Sequence, residues 1–110
     1  MKALFTTIFL LFLLNFKTLS QDIRVNQVGY YSGSQKLAAV PSSENGSFTL
    51  VNNSNGQTVY TGTLSGAVYW SPSGENIKLA DFSSYTNEGT YYLKTNSKTS
   101  YVFDIKANKV

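Results

Sequence analysis

Carboxylates are the main side chains of this sequence that could act as an acid or a base. The chain contains no His and no Cys, which excludes Ser–His and Cys–His nucleophile pairs and the usual zinc and copper ligand sets. Hydrolysis of a glycoside needs two carboxylates that face each other across a cleft. Most of the carboxylates here lie in expected turns, so we expect capping or solvated roles and no catalytic pair. They are Asp22, Glu44, Glu75, Asp81, Glu88 and Asp104.

Asp81 is the most informative of these carboxylates. It begins the stretch Asp81-Phe82-Ser83-Ser84, where an aspartate can accept backbone N–H groups and cap a turn. A calcium ligand is the alternative role, but it requires several further oxygen ligands that the spacing does not supply. No glycine-rich stretch has the spacing of a phosphate- or dinucleotide-binding loop. We therefore predict no metal and no cofactor.

Aromatic residues offer a second kind of site, because an exposed ring can stack on a sugar. One interpretation is a flat sugar-binding platform. The other places Trp70 between two sheets in the core, with the tyrosines bracing strand edges. The residues concerned are Tyr30, Tyr31, Tyr60, Tyr69, Trp70, Tyr85 and Tyr92.

Short alternating stretches separated by turn signals must position these side chains. Phe48 and Leu50 are predicted to face inward, as are Ile77 and Leu79, with Lys78 and Ala80 outward. Seven or eight such strands predict an all-β, antiparallel β-sandwich. The strands are expected near residues 23–26, 36–40, 48–50, 58–64, 68–70, 77–80, 91–95 and 100–106. In the last of them, Tyr101, Phe103 and Ile105 are predicted to share one face.

A turn that runs into a strand carries the most specific pattern. Asn87, Gly89 and Tyr91 have the spacing of the tyrosine corner of immunoglobulin-like sandwiches, with Leu93 as the core residue that follows. Alternation then places Tyr91, Leu93 and Thr95 on the inner face, and Tyr92 on the outer face. An ordinary surface hairpin is the alternative.

Residues 1–20 have the layout of a secretory signal peptide, since Lys2 precedes an apolar run and Thr18 and Ser20 precede the expected cleavage site. Domain boundaries follow: a leader at 1–20, one immunoglobulin-like domain at 21–107, and a linker start or truncation point at 108–110. From residue 21 onward the chain has seven basic and six acidic residues. That balance gives no basic face for nucleic acid. We expect a secreted or periplasmic protein that has no membrane segment after cleavage.

The stretch from Asn26 to Tyr31 interrupts strand alternation and is polar, aromatic and glycine-containing. We predict that it shapes a surface covered by another domain, with the two tyrosines exposed. The candidate interface residues are Asn26, Gln27, Gly29, Tyr30 and Tyr31.

Several stretches of the sequence give a family resemblance, and the first of them and the Gly89 stretch are specific when taken together. The stretch from Ile23 to Tyr30, read IRVNQVGY, resembles the opening of the N-terminal immunoglobulin-like domain of glycoside hydrolase family 9 cellulases. Asp81-Phe82-Ser83, the stretch from Gly89 to Leu93 and the stretch from Ser100 to Ile105 are similar to the end of that domain. One departure is Tyr31-Ser32-Gly33, where the family usually has an apolar residue and a proline.

The resemblance implies a structural partner of a cellulose-hydrolysing (α/α)₆ barrel, in cis in a full-length relative or in trans. It carries over no catalytic residue, so whether this chain belongs to an enzyme stays open. The chain could be a truncated or split product. The alternative is a free-standing secreted module that binds carbohydrate or protein.

Overall fold

The structure is a computed structural model that describes residues 22–108. The expected signal peptide lies outside the described residues, as do Gln21 and the last two residues. Within 22–108 all regular structure is β-strand, and that part of the chain has no helix long and apolar enough to cross a membrane. The strands are β1 (Tyr30–Tyr31), β2 (Leu37–Pro41), β3 (Ser47–Asn52), β4 (Thr58–Thr63), β5 (Val68–Trp70), β6 (Glu75–Asp81), β7 (Gly89–Lys94) and β8 (Phe103–Lys106).

These strands form two sheets that enclose one core. The five-stranded sheet has the order β1-β8-β7-β3-β4, and the three-stranded sheet has the order β2-β6-β5. Only the β1–β8 pair is parallel among the described strand pairs, with Tyr30 opposite Ile105. The predicted all-β sandwich is therefore confirmed.

Three aromatic rings fill the centre of the core. Tyr30 packs edge-on against Phe82 and Phe103, with ring centroids 5.1 and 5.3 Å apart. Phe48 and Leu50 of β3 are also buried, as predicted. Tyr91 and Leu93 of β7 face the same interior, so the alternation read from the sequence holds along this strand.

The expected strand at residues 23–26 is reduced to one bridge. Arg24 exchanges two backbone hydrogen bonds with Ala39 of β2, and the chain then crosses to pair β1 with β8 in the other sheet. The alternation is broken between Asn26 and Gly29 because the chain passes from one sheet to the other at these residues. We call residues 26–29 the kink.

The predicted orientation of β6 is wrong: Ile77 and Leu79 lie on the outer face of the sheet, and Lys78 and Ala80 lie on the inner face. Ala80 is fully buried opposite Ala38, whereas Leu79 is only half-buried and pairs with Ala39 on the other face. The large rings of Tyr30, Phe82 and Phe103 already occupy the interior, and small alanines leave room for them. The larger apolar side chains of β6, Ile77 and Leu79, therefore lie on the outer face of the three-stranded sheet.

The prediction for residues 100–102 is also wrong. Strand β8 begins only at Phe103, and Tyr101 is 60% exposed. Here the side chain of Ser100, and not a backbone carbonyl, accepts the hydrogen bond of a β7 amide. Its Oγ accepts a hydrogen bond from the Leu93 amide at 2.9 Å and donates to the Tyr101 carbonyl at 2.8 Å. The chain bends outward at this point, and Tyr101 leaves the core.

Candidate docking surfaces and the contacts that shape them

The side chain of Tyr91 folds back onto the turn that precedes its strand. Its hydroxyl lies 3.1 Å from the Asn87 carbonyl oxygen and 3.2 Å from that of Glu88, so it can donate to either. The Tyr85 hydroxyl is 3.2 Å away, and the two rings meet edge-on. Burial, together with the hydrogen bond to Tyr85, raises the pKa of Tyr91 to about 12. The hydroxyl therefore remains a donor across the physiological pH range.

Gly89 leaves space for that hydroxyl. A Cβ at this position would lie 2.9 Å from the Tyr91 Oη and 3.1 Å from its Cζ. The backbone there also has a φ of +152°, which side chains rarely adopt. The three residues singled out in the sequence thus meet in one turn that anchors β7.

Lys36 is a buried cation that sequence reasoning did not single out. Its side chain is fully buried, and its Nζ donates to the carbonyl oxygens of Ser32, Ser34 and Ser83. Burial lowers the pKa of the ammonium, and the Asp81 carboxylate partly offsets this. Lys36 therefore fixes the turn at residues 32–34 to the loop after β6. A lysine directly before the apolar β2 stretch was the available signal.

Glu44 is a buried carboxylate with a structural role. Its Oε1 accepts hydrogen bonds from the Thr95 hydroxyl and the Ser97 amide, and its Oε2 accepts one from the Ser97 hydroxyl. These bonds, the Ser97 hydroxyl first, lower the pKa of Glu44. The side chain ties the loop after β2 to the turn after β7.

The other carboxylates with described partners also hold local structure. Asp81 accepts from the amide and hydroxyl of Ser83, which confirms the predicted turn cap and lowers the pKa of Asp81. Asp104 accepts from the Thr90 hydroxyl, and Glu75 pairs with Arg24. A general acid must stay protonated near neutral pH, which requires a raised carboxyl pKa. Glu44 and Asp81 are shifted in the opposite direction.

No group of three or more metal-ligating side chains that could hold a metal ion is found within residues 22–108. In the described part of the chain, Glu44, Glu75, Asp81 and Asp104 hold turns and strands in place. The outward surfaces of that part are further candidate sites.

The kink is held from inside by Tyr30. The Tyr30 hydroxyl accepts a hydrogen bond from the Asn26 amide and donates to the Leu37 carbonyl. At Gly29 the φ is +107°, and a Cβ would lie 2.9 Å from the Asp104 carbonyl oxygen. Tyr30 is only 8% exposed, so the expectation that it lies in an exposed patch is wrong. It faces the core because β1 alternates, which places Tyr31 outward.

The outward side chains around the kink form a partly apolar surface. Val28 is 79% exposed, and Tyr31 is also exposed. Gln27 lines a shallow cleft with Tyr101 and Val102, which are both exposed. We call this surface the kink face; it consists of Gln27, Val28, Tyr31, Tyr101 and Val102. Lys106 borders it, and its Nζ donates to the Val28 carbonyl.

Trp70 does not lie between the sheets, so its core interpretation is wrong. It is 40% exposed, and its pairing with Glu75 places it on the outer face of the three-stranded sheet. Tyr92 lies on the outer face of the five-stranded sheet, on the opposite side of the sandwich. Tyr60 and Tyr85 pack against the core. The aromatic residues therefore do not form a single flat platform.

Two sheets with this topology, closed by a tyrosine corner, define an immunoglobulin-like β-sandwich domain. Residues 18–100 match the family described as "Cellulase N-terminal ig-like domain". The chain belongs to this family.

Relatives of known activity contain the domain as a small part. The chain is 38% identical over 71 residues to Endoglucanase D of Acetivibrio thermocellus, covering 64% of this chain and 11% of that protein. It is 34% identical over 84 residues to a xyloglucan-specific endo-beta-1,4-glucanase of Bacteroides ovatus, covering 76% and 14%. The aligned part of the chain thus covers about a seventh or less of the length of these enzymes.

Solved structures show the same fold. A Bacteroides ovatus GH9 structure superposes with a TM-score of 0.67 at 33% identity, covering 78% of this chain and 16% of that one. A metagenome-derived glycoside hydrolase family 9 endoglucanase gives a TM-score of 0.66 at 28% identity, covering 77% and 18%. In such relatives the domain is attached to a catalytic domain within one polypeptide.

Proposed function

We propose that this chain is the non-catalytic accessory domain of a secreted family 9 cellulase, and that it acts by packing against a cellulose-hydrolysing catalytic domain. The observation that carries the proposal is the match of most of the chain to the N-terminal domain of such enzymes. The carboxylate contacts support it, because Glu44, Asp81 and Asp104 are engaged in hydrogen bonds that hold turns and strands together. Secretion rests on the leader pattern of residues 1–20.

The kink face is the first candidate contact surface. Asn26, Gly29 and Tyr30 shape the kink from within, and Gln27 and Tyr31 belong to its outward side. In an enzyme with this domain at its N-terminus, the chain continues from the end of β8. That end lies beside the kink face, because the Asn108 side chain accepts a hydrogen bond from the Gly33 amide at 2.7 Å. A following domain would therefore begin next to these residues.

Thermal unfolding with and without a catalytic domain tests this role. Binding to the folded chain should raise its melting temperature as the catalytic domain is added. The probe is the catalytic domain of the Bacteroides ovatus enzyme without its own N-terminal domain. The chain alone should release no sugar from carboxymethylcellulose. A melting temperature that the catalytic domain leaves unchanged, in trans and when fused, would contradict the proposal.

A free-standing carbohydrate-binding module is the second candidate. The exposed rings of Tyr69 and Trp70 favour it, since aromatic surfaces with polar neighbours suit sugar binding. Sedimentation of the chain with insoluble cellulose tests this directly. Retention on cellulose that Trp70→Ala abolishes would support the module; a chain that stays in the supernatant would exclude cellulose as its ligand.

A further inference from the structure

The two sheets differ in the chemistry of their outer faces. On the five-stranded sheet the outward side chains are mostly polar: Thr49, Val51, Thr90, Tyr92, Lys94 and Asp104. On the three-stranded sheet they are mostly apolar, with Glu75 and Asp81 at the two ends of β6 as the charged exceptions; the apolar ones are Leu37, Ala39, Pro41, Val68, Trp70, Ile77 and Leu79. We call the second set the Trp70 face. An antiparallel sheet with one solvated face normally alternates apolar and polar residues, and the three-stranded sheet departs from that rule.

Strand β2 shows the departure most clearly. Its sequence is Leu-Ala-Ala-Val-Pro, with Ala38 and Val40 in the core and Leu37 and Ala39 on the outer face. Continuous apolar strands are typical of sheets that are covered on both faces. The core explains only the inner half of this pattern.

The Trp70 face also has the layout of a protein interface. Ile77 is only 2% exposed but lies outside the main core cluster, whereas Val68 and Trp70 are each about 40% exposed. A groove of about 390 Å³ runs between Trp70, Leu79 and the Arg24 segment. The Arg24–Glu75 ion pair borders it. A central aromatic residue with arginine and polar groups at the rim is the usual arrangement of an interface centre.

The position of this face indicates what covers it. Asn26 lines the groove beside Trp70 and Leu79. It also lines a second groove on the other side of the kink, together with Tyr31 and Lys106. The Trp70 face is thus joined through Asn26 to the surface where the chain leaves the sandwich. In the relatives, the remaining five-sixths or more of the polypeptide is attached to this domain. A tether acts as a high local concentration, so even a modest apolar contact would be occupied.

We propose that the catalytic domain of the same enzyme chain packs on the Trp70 face, with Trp70 at the centre of the contact. This inference rests on the proposed accessory function and specifies which surface performs it. It also accounts for two exposed apolar side chains of strand β5, Val68 and Trp70, which lie on the face that the contact would cover.

Side-chain footprinting with hydroxyl radicals tests the proposal on wild-type residues. The isolated chain is compared with a fusion in which residues 21–108 replace the N-terminal domain of the Bacteroides ovatus enzyme. The oxidation rate of Trp70 should fall several-fold in the fusion. Tyr69 is the matched control, because it is adjacent, 67% exposed and directed to the opposite side of β5.

Each outcome bears on a different statement. Protection of Tyr31 and Tyr101 without Trp70 would overturn this inference and leave the accessory function standing. No protection at any residue in the fusion would count against both. If Trp70 in the isolated chain becomes protected as the protein concentration rises, the face binds a second copy. If cellohexaose protects it, the face binds a glucan. Either result without protection of Trp70 in the fusion overturns the proposal.

Substitutions provide an independent measurement. The backbone amides of β5 and β6 should exchange more slowly in the fusion than in the isolated chain. Trp70→Ser should abolish this difference in hydrogen exchange, whereas Tyr69→Ser should leave it unchanged. Both variants must first show the far-ultraviolet spectrum of the unmodified chain. Equal effects of the two substitutions would contradict a contact centred on Trp70.

Discussion

The hydroxyl of Tyr91 lies 3.1 Å from the carbonyl oxygen of Asn87, four residues earlier in the chain. Nearly all of the Tyr91 ring is buried, and the same hydroxyl also meets Tyr85. This corner fixes the start of β7, which lies between β8 and β3 in the five-stranded sheet.

Removing the corner hydroxyl should destabilise the domain. Tyr91→Phe leaves the Asn87 and Glu88 carbonyls without their donor and should lower the free energy of unfolding by roughly 1–2 kcal/mol. Tyr92→Phe, on the outer face, should cost about 0.5 kcal/mol or less. Urea titration of both variants measures the difference. Equal costs would mean that the buried hydroxyl of Tyr91 contributes no more to stability than the hydroxyl of Tyr92 on the outer face.

A side chain at Gly89 should collide with the corner. Gly89→Ala places a Cβ 2.9 Å from the Tyr91 Oη and should cost about 1–3 kcal/mol. Gly66→Ala is the control, since nothing lies within 4 Å of a Cβ there. Adding Tyr91→Phe should reduce the cost of Gly89→Ala, because contacting residues are not additive. Strict additivity in urea titrations would argue against the contact.

The buried ammonium of Lys36 should be essential for stability. Lys36→Met retains an unbranched apolar side chain but leaves the Ser32, Ser34 and Ser83 carbonyls without their donor. We expect a loss of roughly 2–4 kcal/mol in the free energy of unfolding. Lys94→Met, at an exposed position on β7, should cost about 0.5 kcal/mol or less. Chemical denaturation at neutral pH compares the two; similar values would show that the three bonds are dispensable.

Glu44 should make stability depend on pH in the acid range. Its hydrogen bonds lower its pKa in the folded chain below the ordinary value of 4.5. The stabilisation is therefore present above that value and is lost as the pH falls through the lower, folded-state pKa. Glu44→Gln should cost roughly 1 kcal/mol at pH 7 and make the decline between pH 5 and 3 shallower. Some decline should remain, because the pKa of Asp81 is lowered too.

Unfolding measured at several pH values tests this directly. The expected curves for the parent chain and Glu44→Gln converge at low pH, where both side chains are uncharged. Parallel curves would show that Glu44 has the same pKa in the folded and the unfolded chain. Glu88→Gln, at an exposed position in the corner turn, is the matched control and should change the free energy of unfolding at pH 7 by about 0.5 kcal/mol or less.

Local patterns determined much of this fold. Strand β7 could be oriented from sequence because polar Lys94 and buried Leu93 alternate on a sheet with one solvated face. The Asp81 cap and the Tyr91 corner involve residues only two to four positions apart. Such contacts depend on backbone geometry that nearby residues define, so their spacing predicts them.

Tertiary structure decided the three-stranded sheet and the surfaces. Alternation along β6 predicts Ile77 and Leu79 on the inner face, but Phe82, just after this strand, packs there against Tyr30 and Phe103 from distant parts of the chain. Alternation cannot distinguish inside from outside when both faces of a strand are apolar, as in β2. The bonds of Lys36 to Ser83 and of Glu44 to Ser97 join residues about 50 positions apart. These partners come within hydrogen-bonding distance only when the strands have paired into sheets. Spacing along the sequence therefore does not predict these bonds.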